Sequence, residues 1–125
     1  MTKKIFIIDD DQDVRDVLEY AISNEGYSVR TFENGEVALK ALRDMSPQNY
    51  PGLLIVDYMM PVMDGITFIQ EMISDASSPL ASIPMAFCSA MGELNESASI
   101  PQNVIRLQKP MELDDLLDMI NVHCL

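Results

Sequence analysis

The chain has 125 residues, enough for one domain, and 48% of them are hydrophobic, which supplies a core and excludes a disordered tail. Eight basic residues against twenty acidic ones leave a net charge of −12. That balance argues against nucleic acid or an anionic membrane as partner and suits cations or a basic protein. Two cysteines, Cys88 and Cys124, are too few for a disulfide framework, and with no CxxC or Cys/His cluster zinc is not expected. The first apolar run is too short for a signal peptide and no stretch approaches a membrane span, so a cytoplasmic protein is expected.

The elements alternate along the chain. Ile5, Phe6, Ile7 and Ile8 form a solid apolar run that ends in acids and reads as a strand. Val14, Val17, Leu18, Ala21 and Ile22 follow helical spacing, with Asp11 or Asp13 to start the helix and Gly26 to end it. Residues 27–32 read as a second strand and Asn34-Gly35 as a turn. Val37, Ala38, Ala41, Leu42 and Met45 mark a second helix, and residues 46–52 a loop. Residues 53–56 are a third strand ending in Asp57. Ile66, Ile69, Met72 and Ile73 mark a third helix. Residues 83–88 and, more weakly, 104–107 are the last strands. Leu113, Leu116, Leu117 and Ile120 form the last helical stripe. The helical stripes are read as core faces.

Solid rather than alternating apolar strands mean a sheet buried on both faces, and helix-length spacers mean parallel βαβ units. The expected fold is therefore a (βα)5 doubly wound α/β domain spanning residues 1–125. Residues 92–103 should hold its fourth helix but are polar and closed by Pro101, so a short or mobile helix is expected there.

In open parallel sheets the site lies beyond the carboxyl ends of the strands, at the switch point. The first strand ends in Asp9-Asp10-Asp11, the third in Asp57, the fourth in Cys88-Ser89-Ala90 and the fifth in Gln108-Lys109-Pro110. In the order 2-1-3-4-5 the carboxylates converge, and Ser89 and Lys109 approach from the side. Clustered carboxylates raise one another's pKa unless a cation intervenes, and Mg²⁺ (or Mn²⁺) takes such oxygen ligands. Asp57 at the centre can act as a nucleophile toward phosphorus. Taken singly, each residue has a plain reading as a turn, a helix cap or a solvated helix start. It is their joint placement on the strand ends of one sheet that points to a site.

These residues resemble the receiver (CheY-like) domain of two-component response regulators along essentially the whole chain. Residues 54–65, Leu-Ile-Val-Asp-Tyr-Met-Met-Pro-Val-Met-Asp-Gly, resemble the family's phosphoacceptor strand and following loop. Asp9-Asp10 resembles its acidic pair, Ser89-Ala90 its switch hydroxyl and small residue, and Lys109-Pro110 its lysine and a typically cis proline. The resemblance implies that Asp57 receives a phosphoryl group from a phosphohistidine on a histidine kinase or phosphotransfer protein. Asp10, Asp57 and the backbone carbonyl of Met59 would bind Mg²⁺, with Asp9 acting through a water. Ser89 and Lys109 would hold phosphoryl oxygens. Such a domain is no separate enzyme, catalysing only its own phosphorylation and slow dephosphorylation. The donor would dock on the outward side of residues 12–25 and near Pro110-Met111, with Val14, Val17 and Leu18 serving the core.

Three departures from the family pattern stand out. Arg106 takes the place of the usual switch aromatic, and an arginine is not expected to bury itself behind Ser89 as a ring does. The interval from Ser89 to Lys109 is short, with a weak helix. Met59 and Met91 occupy the positions that tune water access, and their bulk implies slow dephosphorylation. The expected function is a stand-alone receiver that signals by phosphorylation-dependent protein contact. The alternatives are a phosphorylation-independent interaction module on the same fold, or the receiver portion of a longer regulator or hybrid kinase. A Mg²⁺-dependent phosphatase is disfavoured because Met59, not a carboxylate, stands two residues beyond Asp57.

Overall fold

The computed structural model describes residues 3–90, 100–101, 103–110 and 112–123. Among them five strands and four helices follow in the order β1 (Lys4–Ile8), α1 (Gln12–Asn24), β2 (Ser28–Phe32), α2 (Gly35–Arg43), β3 (Leu53–Asp57), α3 (Gly65–Ile73), β4 (Met85–Ala90), β5 (Ile105–Lys109) and α4 (Leu113–His123). Short 3-10 turns at Pro47–Asn49 and Pro79–Ser82 lead into β3 and β4. All strand pairs are parallel and the sheet order is β2-β1-β3-β4-β5, as expected. The helix expected over residues 92–103 lies largely outside the described residues.

The two-residue period of the strands sorts two cores. Phe6, Ile8, Leu54, Val56, Met85 and Phe87 pack with Leu39 and Leu42 of α2 and Phe68 and Met72 of α3. Ile5, Ile7, Leu53, Ile55 and Ala86 face the other way, toward Ile22 of α1 and Leu116 and Ile120 of α4. A strand covered on both sides has no polar face to write, which is why these runs are solid.

Side-chain caps start the helices. Asp11, Asn34 and Asp64 each accept an N–H of the following turn. Asn34-Gly35, read as a turn, therefore opens α2 instead, with Gly35 its first residue. Gly26 sits at φ +95° just past α1 and donates its N–H to the Ser23 carbonyl at 3.0 Å.

The later strands run further than their apolar runs. β3 includes Asp57, which pairs with Cys88, and β5 includes Lys109, which pairs with Ala90. Parallel pairing continues through these polar residues because the ladder uses backbone groups. Pro84 has no N–H to give and stays outside β4, while its carbonyl accepts the Leu54 N–H at 2.9 Å.

The helix α1 corrects the reading of its stripe as core. Ile22 is its buried residue, whereas Val14 is exposed and Val17 is 59% exposed. The carboxyl-terminal part of α1 packs on the sheet. Leu18 packs against that core as expected, and nearer the amino end Val14 joins it in walling an open cleft of about 150 Å³ between α1, α4 and the strand ends.

Leu54 is fully buried in the central strand β3. Leu54→Ala should lower stability by about 2–5 kcal/mol, read from the urea midpoint at unchanged slope.

Candidate functional site

The alternation that builds the core also builds the site. Ile5, Ile7 and Asp9 succeed one another on one face of the sheet, as do Leu53, Ile55 and Asp57 on β3 and Ile105, Leu107 and Lys109 on β5. At the strand ends the carboxylate oxygens of Asp9, Asp10 and Asp57 come within 4.8 Å of one another. Asp9 and Asp57 are buried and Asp10 is exposed. The Lys109 ammonium donates to the Asp57 carboxylate. The Lys109-Pro110 bond is cis, in line with the resemblance.

Local bonds hold these groups in place. The Asp9 N–H continues the ladder to the Phe32 carbonyl at 3.1 Å. Its carboxylate accepts the Asp11 N–H at 3.0 Å, and its carbonyl accepts Arg15 Nη1 at 2.6 Å. Asp11 itself stands apart from the cluster, because its carboxylate caps α1 by accepting the N–H groups of Asp13 and Val14. The sequence reading missed Arg15, since its acceptor is a backbone atom.

It also gave Gly65 no role of its own. Gly65 opens α3 and donates its N–H to the Tyr58 carbonyl at 2.9 Å. A Cβ there would collide with the Asp57 carbonyl oxygen and press on the Phe87 ring. Asp64 caps the same helix through the Thr67 N–H at 2.8 Å. The Asp-Gly pair is thus a cap followed by a residue small enough to let α3 touch the Asp57 backbone, and that pairing was the available signal.

Ser89 is buried directly after Cys88, the register partner of Asp57. Met59 lies in the loop after β3 with 64% of its surface exposed, three residues before a β-branched Val62 at φ 72°. Met91 lies outside the described residues. Arg106 is half-buried, with its guanidinium donating to three main-chain carbonyls.

Charge is crowded here. Burial pushes the Asp57 carboxyl up to about 6, with the Asp9 charge adding to the rise, although the Lys109 hydrogen bond pulls it down. Burial likewise raises Asp9, against the Asp11 N–H and the Lys109 charge. Burial pulls Lys109 down, but its bond to Asp57 and the nearby carboxylates outweigh that and leave it above its ordinary value. Burial pushes the Cys88 thiol up to about 12, so Cys88 behaves as the small apolar residue its sequence setting suggests. Three carboxylates facing one ammonium leave uncompensated negative charge, and the donors are all oxygen. A hard divalent cation, Mg²⁺ or Mn²⁺, fits that donor set.

The family pattern of the response regulator receiver domain matches residues 5–121. The chain belongs to this family and is a receiver domain of two-component response regulators. Receiver domains generally bind Mg²⁺ at an acidic pocket and pair with histidine kinases, and this chain has an acidic cluster of Asp9, Asp10 and Asp57. Over 92 residues, 74% of this chain, it is 35% identical to the probable transcriptional regulator ycf27 of Pyropia yezoensis, covering 34% of that protein. Over 118 residues, 93% of this chain, it is 30% identical to the DNA-binding transcriptional regulator NtrC of Escherichia coli (strain K12), covering 24% of it. The chain thus spans about a third or less of these curated relatives. The signal receiver domain of a signal transduction histidine kinase from Syntrophus aciditrophicus shares the fold, with a TM-score of 0.84 at 20% identity over 98% of this chain and 90% of that one. No helix among the described residues is long and apolar enough to cross a membrane.

Two predictions follow from the crowding at Asp57. Its carboxyl ionises at about 6 in the folded chain against an ordinary 3.8, so between those values the folded chain holds a proton that the unfolded chain has lost. This group's contribution to stability therefore falls as pH rises through that window, by up to about 3 kcal/mol. In metal-free buffer at neutral pH, Asp57→Asn should be more stable than wild type to urea by about 1–3 kcal/mol. Mg²⁺ should raise the wild-type Tm progressively more as pH climbs through about 6, and leave Asp57→Asn nearly unmoved. Separately, Gly65→Ala should cost about 1–3 kcal/mol and weaken Mg²⁺ binding in a calorimetric titration, because α3 or Asp57 must shift.

Proposed function

We propose that Asp57 is a phosphoacceptor and that this domain is a phosphorylation-dependent switch. The observation that carries the reading is the convergence of three carboxylates from the ends of β1 and β3 with Lys109 from the end of β5, one carboxylate buried at the centre and paired to the ammonium. An Asp57 oxygen would attack the phosphorus of a phosphohistidine on a histidine kinase or phosphotransfer protein. The O–P bond forms as the N–P bond breaks, and the released imidazole nitrogen takes a proton from water. Lys109 would turn from the carboxylate to a phosphoryl oxygen, and the Ser89 hydroxyl would donate to another. Bound by Asp10, Asp57 and the Met59 carbonyl, and through water by Asp9, Mg²⁺ would neutralise charge on the phosphoryl oxygens.

The domain performs this chemistry on itself and is not otherwise an enzyme. Exposed Met59 stands where an apolar side chain can hinder water, which supports slow loss of the phosphoryl group. Val14, Val17 and Tyr20, exposed on α1, offer apolar contact to the donor protein. Output is by protein contact in the cytoplasm; the net charge of −12 opposes direct contact with nucleic acid or membrane. The small share of the ycf27 and NtrC proteins that the chain covers favours a second reading of its setting, as the receiver portion of a longer regulator rather than a stand-alone protein.

Intact-mass spectrometry after incubation with Mg²⁺ and acetyl phosphate should show the gain of a single phosphoryl group. The gain should be absent from Asp57→Asn and from a metal-free sample. If a partner phosphohistidine donor also fails to phosphorylate the chain, and Mg²⁺ with beryllofluoride does not bind, the phosphorylation-independent interaction module takes its place.

A further inference from the structure

Five residues stand in register across the sheet: Phe32, Ile8, Val56, Phe87 and Arg106. The first four are buried apolar side chains on the α2–α3 side. The fifth, on the edge strand β5, is an arginine, half-buried where the row would otherwise continue as core. A guanidinium is always charged and carries five N–H donors, so it enters such a place only if acceptors meet it.

Three backbone carbonyls among the described residues do so. Arg106 Nη1 donates to the carbonyls of Pro101 at 3.1 Å and Val104 at 2.9 Å, and Nη2 donates to the carbonyl of Ile100 at 3.0 Å. One side chain thus ties together three carbonyls of the segment that leads into its own strand. The same segment is pinned from within, since Ile100 and Val104 are buried in the core that holds Phe87. The Pro101 carbonyl also accepts the Val104 N–H at 3.2 Å, so the arginine closes onto an existing turn.

β5 has one strand neighbour, β4, and it carries Lys109 three residues beyond Arg106. Where Lys109 stands depends on how the entry to β5 is fixed.

We propose that Arg106 is a positioning residue that anchors the entry to β5 through these three carbonyls and holds the β4–β5 edge in one arrangement before and after Asp57 is occupied. The second half rests on the reading of Asp57 as phosphoacceptor. An aromatic ring offers no donor to the carbonyls, and a lysine offers a point charge that cannot span all three with planar geometry. Loss of the guanidinium takes a donor from each of these carbonyls and loosens the turn they define.

The test is amide hydrogen exchange by NMR on the full chain, as wild type, Arg106→Lys and Arg106→Phe, each free and with Mg²⁺ and beryllofluoride. The probe is the Val104 amide, and the control is the Leu54 amide in the central strand. In the free proteins Val104 should exchange about tenfold faster in Arg106→Phe and by an intermediate factor in Arg106→Lys, with Leu54 changed less than about twofold. Adding Mg²⁺ and beryllofluoride should change Val104 exchange in wild type by less than about threefold. The proposal is overturned if both substitutions leave Val104 at the wild-type rate, or if occupation of Asp57 moves the wild-type rate beyond that bound. If Arg106→Phe does not fold, the milder Arg106→Lys decides the first comparison. Failure of beryllofluoride to shift the amides around Asp57 would count against the phosphoacceptor reading instead, and the substitution comparison would still decide the anchor.

Discussion

Negative charge packed around Asp57 is the constraint to which the rest of the structure answers. Asp9, Asp10 and Asp57 share a space in which Lys109 supplies the nearby ammonium. In water such groups would drift apart. Here each is tied to an element that cannot move independently: Asp57 within the ladder of the central strand, Asp9 by its own ladder bond and by Arg15, Lys109 at the end of β5. The charges are therefore held close rather than relaxed, and burial first, with repulsion between the carboxylates adding to it, makes Asp9 and Asp57 hold their protons longer than free carboxyls do. A divalent cation would enter a site whose unfavourable charge is already in place, so its binding would be coupled to relief of that charge.

The arrangement costs no special architecture. A parallel sheet with two covered faces aims alternate residues at opposite cores, and the next residue of the same series, past the last apolar one, lands in the site. The close seat of α3 on the end of β3 completes it, and that seat is available because position 65 lacks a side chain. Core and site are one pattern read to different lengths along the strands.

This explains what could be read from the sequence and what could not. The convergence of Asp9, Asp10, Asp57 and Lys109 was legible because solid apolar runs define the strands, and strand ends define the switch point. Asp11 belonged to the plain reading of a strand-end acid as a helix cap, which its bonds to Asp13 and Val14 bear out. The exposure of Val17 was not legible, because helical spacing tells which face is apolar and not how closely the helix sits on the sheet. Gly65 and Arg15 escaped for a shared reason: each acts on a backbone carbonyl, and carbonyls leave no mark in the sequence. The limits of β3 and β5 were misplaced for the same cause, since backbone pairing runs on through Asp57 and Lys109 after the apolar pattern has stopped.

Arg106 and Lys109 show how far backbone acceptors shape the site. They are three residues apart on β5, so the pleat sends them to opposite faces of the sheet. The arginine donates to three neutral carbonyls on the α2–α3 side, and the lysine meets a carboxylate on the other. A shift of β5 by one residue would turn Arg106 away from its carbonyls and Lys109 away from Asp57 at the same time, and would carry Ile105 and Leu107 out of the α1–α4 core. The register of this edge strand is thus fixed by two cations with different acceptors as well as by its apolar face. An edge strand has a single neighbour to hold it, so charges that tolerate no slip are a physical means of keeping Lys109 beside Asp57 without a further strand to brace it.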